Sequence, residues 1–291
     1  MKLIEPSAEL WSEENISPES HIARCARVCY GKEAKQPNQE ADAKLVKRLI
    51  RMKHASMLRH ASVYFEFEAM SDIPQWYYSD YVNSIMDNNR RVYASTNMQF
   101  VEKNHIHGYL TDTPKEFLLL CKNNPELFSL FRLTFCITTQ ISTSRELNRV
   151  SPNNIAERST RYCSSKDGLE ICKPWWYDED YIHTKDGETY KQGANRVDKH
   201  RAFRAACITA EKSYKEMLDC GVKPEDARGV LPLDTVTKVV YTYSVAEWKH
   251  IIDLRFYGTT GKPHPNAKLV IGIVRDKINE FARAHNINYQ I

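Results

Sequence analysis

The 291-residue sequence is short of several features that would settle a broad class at once. It contains no run of ~18 uninterrupted apolar residues, so no membrane-spanning helix is expected. Its opening, Met1-Lys-Leu-Ile-Glu-Pro6, carries no apolar signal region. None of the eight cysteines (Cys25, Cys29, Cys121, Cys136, Cys163, Cys172, Cys207 and Cys220) forms a Cys-x-x-Cys pair, which leaves a zinc site unsupported. Reduced thiols in a cytoplasmic protein, most of them acting as small buried hydrophobes, are the simplest expectation. Charge of one sign is also scarce: 41 Lys and Arg against 37 Asp and Glu leave only +4. That argues against a broad nucleic-acid surface, although a local arginine cluster could still bind a small anion. Internal repeats, low-complexity tracts and a regular βαβ rhythm are missing too, so the expected class is α+β.

What is present reads as an ordinary globular chain, with 42% hydrophobic and 27% charged residues. Ser17-Pro18 introduces a helix with Ile22, Cys25, Ala26 and Cys29 on one face, stopped by Gly31. A polar loop through Pro37 leads to a second helix striped by Leu45, Val46, Leu49 and Ile50. Val63, Phe65 and Phe67 alternate with Tyr64 and Glu66 as in a strand, and another strand fits Arg91 to Ser95. Aromatic residues crowd Trp76 to Tyr81. A loop and a helix with Phe117, Leu118, Leu120 and Cys121 precede a strand at Arg132 to Ile137 and a short helix at Ser142 to Arg149. Residues 166 to 199 form an excursion in which Trp175 and Trp176 call for burial. Ala202 to Leu218 is helical, closed by Gly221. Ser244-Val-Ala-Glu247 has the capping-box pattern, and the helix it starts runs towards Gly258. A last helix after Pro265 is expected to bury Leu269, Ile273, Val274 and Phe281.

The most informative stretch is 145 to 163, which gathers Arg145, Arg149, Arg158 and Arg161 with Glu157, Ser159, Thr160 and Tyr162. Guanidinium forks fit phosphate or the edge of a planar base, and a carboxylate among them can accept a sugar hydroxyl or hold the forks. The plainer alternative is a solvated helix face followed by a turn.

Arg149, Glu157, Ser159, Arg161 and Tyr162 fall without a gap on a pattern that resembles the signature of flavin-dependent thymidylate synthases. That signature reads Arg-His-Arg, two variable residues, Ser, one variable, Asn-Glu, one variable, Ser, one variable, Arg-Tyr. Val150 and Ser151 stand where it has His-Arg, Asn154 where it has Ser, and Ala156 where it has Asn. His54-Ala-Ser56-Met-Leu-Arg59-His60 resembles the family's early His-x-Ser/Thr-x-x-Glu-His, with Arg59 in place of Glu. Ala227-Arg228-Gly-Val-Leu231-Pro232, Glu247-Trp248-Lys-His250, Leu254-Arg255 and His264-Pro265 are similar to its later half. There, Ser244 and Ala246 replace Asn and Arg. The resemblance spans most of the chain, apart from an excursion at about 68–130, and implies one domain over 1–291.

The resemblance also implies a function: reductive methylation of dUMP to dTMP by a homotetramer. FAD would be the cofactor, with NADPH and methylenetetrahydrofolate as co-substrates. Arg149, Glu157, Ser159, Arg161 and Arg228 would bind substrate, with Arg149 and Arg161 on the uridylate phosphate or the flavin diphosphate across a subunit boundary, and His54, Ser56, Ser244 and His250 would bind the flavin. Arg255 would be catalytic, favouring negative charge on the pyrimidine. Read alone, Arg255 could equally be a helix-end arginine near Gly258, and Glu157 a salt-bridge partner of Arg158 or Arg161. His54 and His250 could be structural. Because Val150, Ser151 and Ala246 thin out the flavin half, the alternative is a nucleotide-binding relative with lost or altered flavin chemistry.

Overall fold

A computed structural model describes residues 1–32, 38–68, 73–106, 113–150, 154–161, 168–178 and 199–291. The calls at Pro37, Ser151, Tyr162 and Cys163, and most of the excursion at 166–199, lie outside the described residues. Among the described residues helices and three small sheets intermix, so the class is α+β as expected.

The central sheet is antiparallel, in the order β2 (Ser7–Trp11), β6 (Arg132–Gln140), β9 (Val236–Ser244), β7 (Ile155–Glu157). β6 and β9 pair along nine residues, from Arg132 opposite Ser244 to Gln140 opposite Val236. β9 was not anticipated from the sequence. It is buried on both faces, so its Val-Thr-Lys-Val-Val-Tyr-Thr-Tyr-Ser run lacks the apolar–polar alternation that marks a half-exposed strand. A second sheet joins β3 (Ser62–Phe67) to β5 (Val92–Asn97) and β4 (Asn83–Met86). A parallel pair links β1 (Lys2–Ile4) to β8 (Glu170–Cys172).

Helices α1 (Pro18–Val28) and α2 (Gln39–Arg51) form where the sequence indicates, with Ser17 Oγ capping α1 through Ser20 N. α3 (Met98–Asn104) and α4 (Pro114–Asn123) follow; Thr113 and Glu116 close a capping box on α4. α5 (Ile141–Asn148) continues directly from β6. Later come a long helix Lys199–Asp219, a helix Val245–Ile252 that widens into a π-turn over Asp253–Tyr257, and a last helix Pro265–Ala284. The last helix turns Val270, Ile271, Val274, Ile278 and Phe281 inward, whereas Leu269, expected in the core, is 41% exposed. Trp175 is likewise 57% exposed; Trp176 packs edge-on against Phe203. No helix among the described residues is long and apolar enough to cross a membrane.

Beneath the sheet lies a buried polar chain. His60 Nδ1 is 2.8 Å from Thr242 Oγ1, which is 2.7 Å from Thr134 Oγ1, which is 3.0 Å from His21 Nε2. Burial drives the His60 value down to about 3, with His21, Arg132 and Arg59 adding to the shift, and lowers His21 as well. Both rings are therefore neutral, and the 3.8 Å approach of His21 to Glu13 is not an ion pair. Burial also raises the thiols of Cys121 and Cys172 to about 12 and that of Cys207 to about 11, in keeping with their role as inert small hydrophobes.

Candidate active site

The first turn of α5, the edge strand β7 and the start of β9 meet at one end of the central sheet. Glu157 pairs with Val239, which puts Thr237 diagonally across from it on the same face. α5 is tied down beside them, because Ile141 N donates to Thr235 O and Ser142 N to Leu233 O. The result is a cavity of about 620 Å³ lined by Ser144, Arg145, Glu157, Arg158, Ser159, Thr160, Arg228 and Thr237, with Ile141, Leu231, Pro232 and Leu233 as an apolar wall. Three expected substrate residues, Glu157, Ser159 and Arg228, thus line one cavity.

Hydrogen bonds fix its polar edge. Ser144 Oγ donates to Glu157 Oε1 at 2.7 Å and Thr237 Oγ1 donates to the same oxygen at 3.0 Å. Arg228 donates through Nη1 to Thr160 Oγ1 and through Nε to Glu225 O. Arg161 stands at the margin, with Nε and Nη2 both on Glu225 Oε2. Arg158 pairs with Glu170 at 3.7 Å, so neither Arg158 nor Arg161 is the partner of Glu157. Arg145 lines the cavity and forms no ion pair with any described residue. Charge without a protein partner, beside hydroxyl donors and one carboxylate, suits an anionic ligand that also carries hydroxyls.

The other expected residues lie elsewhere in the single chain. Arg149 caps the far end of α5, exposed and without an ion pair among the described residues. Arg255 sits in the π-turn, where Nη2 donates to Glu146 O at 3.4 Å while its buried Nε has no hydrogen-bond partner among the described residues. The turn ends at Gly258, whose φ of 76° and crowding leave no room for a side chain. A Cβ there would lie 2.8 Å from both Gly261 O and Pro263 Cδ. His54 and Ser56 are exposed at the start of a 3₁₀ turn, and His250 is exposed on the helix after β9. Ser244, expected at a flavin, is the N-cap of that helix. It is fully buried, accepts from Glu247 N and donates to Glu247 Oε2, so the capping box consumes its hydroxyl.

Residues 12–74 and 84–267 match the family described as thymidylate synthase complementing protein. The chain belongs to that family. Among curated relatives it is 30% identical over 87 residues to a flavin-dependent thymidylate synthase of Halobacterium salinarum, covering 30% of this chain and 35% of that one. It is 28% identical over 146 residues to one from Thermosipho africanus, covering 48% and 60%. The chain thus spans about a third of the first curated relatives' length and 60% of the Thermosipho protein's. A solved structure described as a UMP/dUMP methylase, PolB from Streptomyces cacaoi bound with 5-Br dUMP, aligns over 97% of this chain and 93% of that one. Its TM-score is 0.43 and its identity 18%.

Three of the departures from the signature, at Val150, Asn154 and Ala156, have a packing reason. Ala156 is buried beside Trp11, Cys25 and Val240, and Val150 packs on the main core. Asn154 is buried and donates to Thr242 O at 3.2 Å. Two site residues escaped the sequence reading, Ser144 and Thr237. A buried hydroxyl in a helix's first turn and a threonine on an unrecognised strand carry no signal of their own.

Proposed function

We propose that the protein methylates C5 of dUMP to give dTMP, taking the carbon from methylenetetrahydrofolate. The observation that carries this reading is the single cavity in which Glu157, Ser159, Thr160, Arg145, Arg158 and Arg228 meet. The net reaction is dUMP plus methylenetetrahydrofolate, NADPH and a proton going to dTMP, tetrahydrofolate and NADP⁺. In the cavity, Arg145, Arg158 and Arg228 neutralise the nucleotide phosphate, Ser159 and Thr160 donate to its oxygens, and Glu157 accepts a sugar hydroxyl. Arg161, held nearby on Glu225, adds a further cation.

Arg255 stabilises negative charge on the pyrimidine of a nucleotide bound by a neighbouring subunit of a homotetramer. Loss of the N3 proton makes C5 electron-rich, so no cysteine need add to C6. A guanidinium stays protonated throughout and so acts by charge, not as a base. Among the described residues only Nη2 of Arg255 is engaged, on Glu146 O, which leaves Nη1 for a ligand and supports this assignment. Arg149, His54, Ser56 and His250 are exposed donors whose chemistry fits a flavin dinucleotide, and they would hold FAD. When bound, that flavin supplies the hydride and NADPH recharges it. The whole chain acts as one domain in the cytoplasm.

The test is rescue of a thymidine-requiring cell that lacks its own synthase, alongside calorimetry with dUMP and FAD. Growth with the parent and none with Arg255→Ala supports the reading. Failure of the purified parent to bind dUMP overturns it. Binding of dUMP without FAD would favour a nucleotide-binding relative with altered flavin chemistry.

A further inference from the structure

We propose that Ser144 and Thr237 are positioning residues that aim Glu157 at the nucleotide and keep it off the cavity's arginines. The inference rests on the nucleotide reading above. Both hydroxyls donate to one oxygen, Oε1, at 2.7 and 3.0 Å. They come from different elements, α5 and β9, and both residues are buried. Ser144 Oγ also lies 3.0 Å from Ile141 O, but its single proton favours the nearer, charged acceptor. Oε2 accepts no hydrogen bond among the described residues, although Glu157 lines the cavity. The carboxylate is thus half satisfied by the protein, with one oxygen left for a donor on the ligand.

The choice of neutral hydroxyls matters. Arg145, Arg158 and Arg228 line the same cavity, so an untethered carboxylate could swing onto a guanidinium. That would remove the acceptor for the sugar hydroxyl and block a cation the phosphate needs. Two hydroxyls from opposite sides hold Glu157 in place without cancelling its charge.

The test is calorimetric titration of dUMP, and of its 3′-deoxy analogue, into the full-length protein. Ser144→Ala and Thr237→Val each weaken dUMP binding about fivefold. Both variants also narrow the preference for dUMP over the analogue, while Thr237→Ser stays within about twofold of the parent. The deciding readout is the same pair of substitutions made on Glu157→Ala. There they cost less than about twofold, because residues that act through Glu157 lose their effect when it is gone. Undiminished losses in that background, or none in the single variants, overturn the inference while leaving the nucleotide reading intact. If the parent itself fails to bind dUMP, that reading falls and this one with it. Thermal melts identify an unfolded variant, and Thr237→Val and Ser144→Ala serve as each other's replacement.

Discussion

Two regions bordering helix α5 are built to different degrees of completeness. On one side, Ser144 and Arg145 line a cavity whose carboxylate, hydroxyls and cations come from a single chain and are mostly hydrogen-bonded to one another. Past the helix, Arg149 stands without an ion pair among the described residues, and the Arg255 guanidinium reaches Glu146 O with one nitrogen while its buried Nε has no hydrogen-bond partner among them. The first region is tied together by its own side chains. The second leaves donor capacity unused among the described residues, and an unpaired buried donor is costly.

The sharpest way to break the contrast is Arg255→Ala. Turnover of dUMP is expected to fall by two to three orders of magnitude, about 3–4 kcal/mol, while the calorimetric affinity for dUMP moves by less than about threefold. Equal losses in both would mean that the two regions are one site within the protomer.

Acid probes the sheet beside both regions. The folded value of His60 lies below its unfolded one, so stability is present above about pH 6.5 and lost as pH falls towards about 3. By pH 4.5 that histidine alone should remove about 3 kcal/mol, read from urea midpoints, with His21 adding to the loss. In His60→Gln the slope of stability against pH below 6.5 should be shallower by about one proton.

Gly258→Ala forces a side chain against Gly261 O and Pro263 Cδ at a left-handed position, and is expected to cost about 2 kcal/mol in a thermal melt. The π-turn carrying Arg255 should suffer more than the cavity, so turnover falls further than dUMP affinity. Ser244→Ala should cost about 1 kcal/mol through loss of the cap and leave the flavin absorbance of FAD-loaded protein unchanged. A variant that loses flavin at unchanged stability would return Ser244 to the cofactor.

Much of this was legible in the sequence wherever a local rule governs. The Ser17 cap, the Ser244–Glu247 box and the arginine cluster with Glu157 and Ser159 all depend on neighbours within a few residues. What escaped depends on distant partners. β9 hid because burial on both faces erases alternation, and Ser144 and Thr237 gained a role only through pairing across the sheet. Leu269 and Trp175 misled because apolar character does not reveal which side of an element faces the core. Arg255 stood out by resemblance, yet its place outside the cavity lining, on Glu146 O, could not be read from any spacing.

β9 carries Thr237 at the cavity, Thr242 in the buried histidine chain and Ser244 at the cap, all on one nine-residue ruler. A slip of one residue along it would turn each of these inside out together. Variation that reshapes ligand preference should therefore accumulate in the apolar wall from Leu231 to Leu233, which can drift, and spare the strand, where drift in one place is collapse in three.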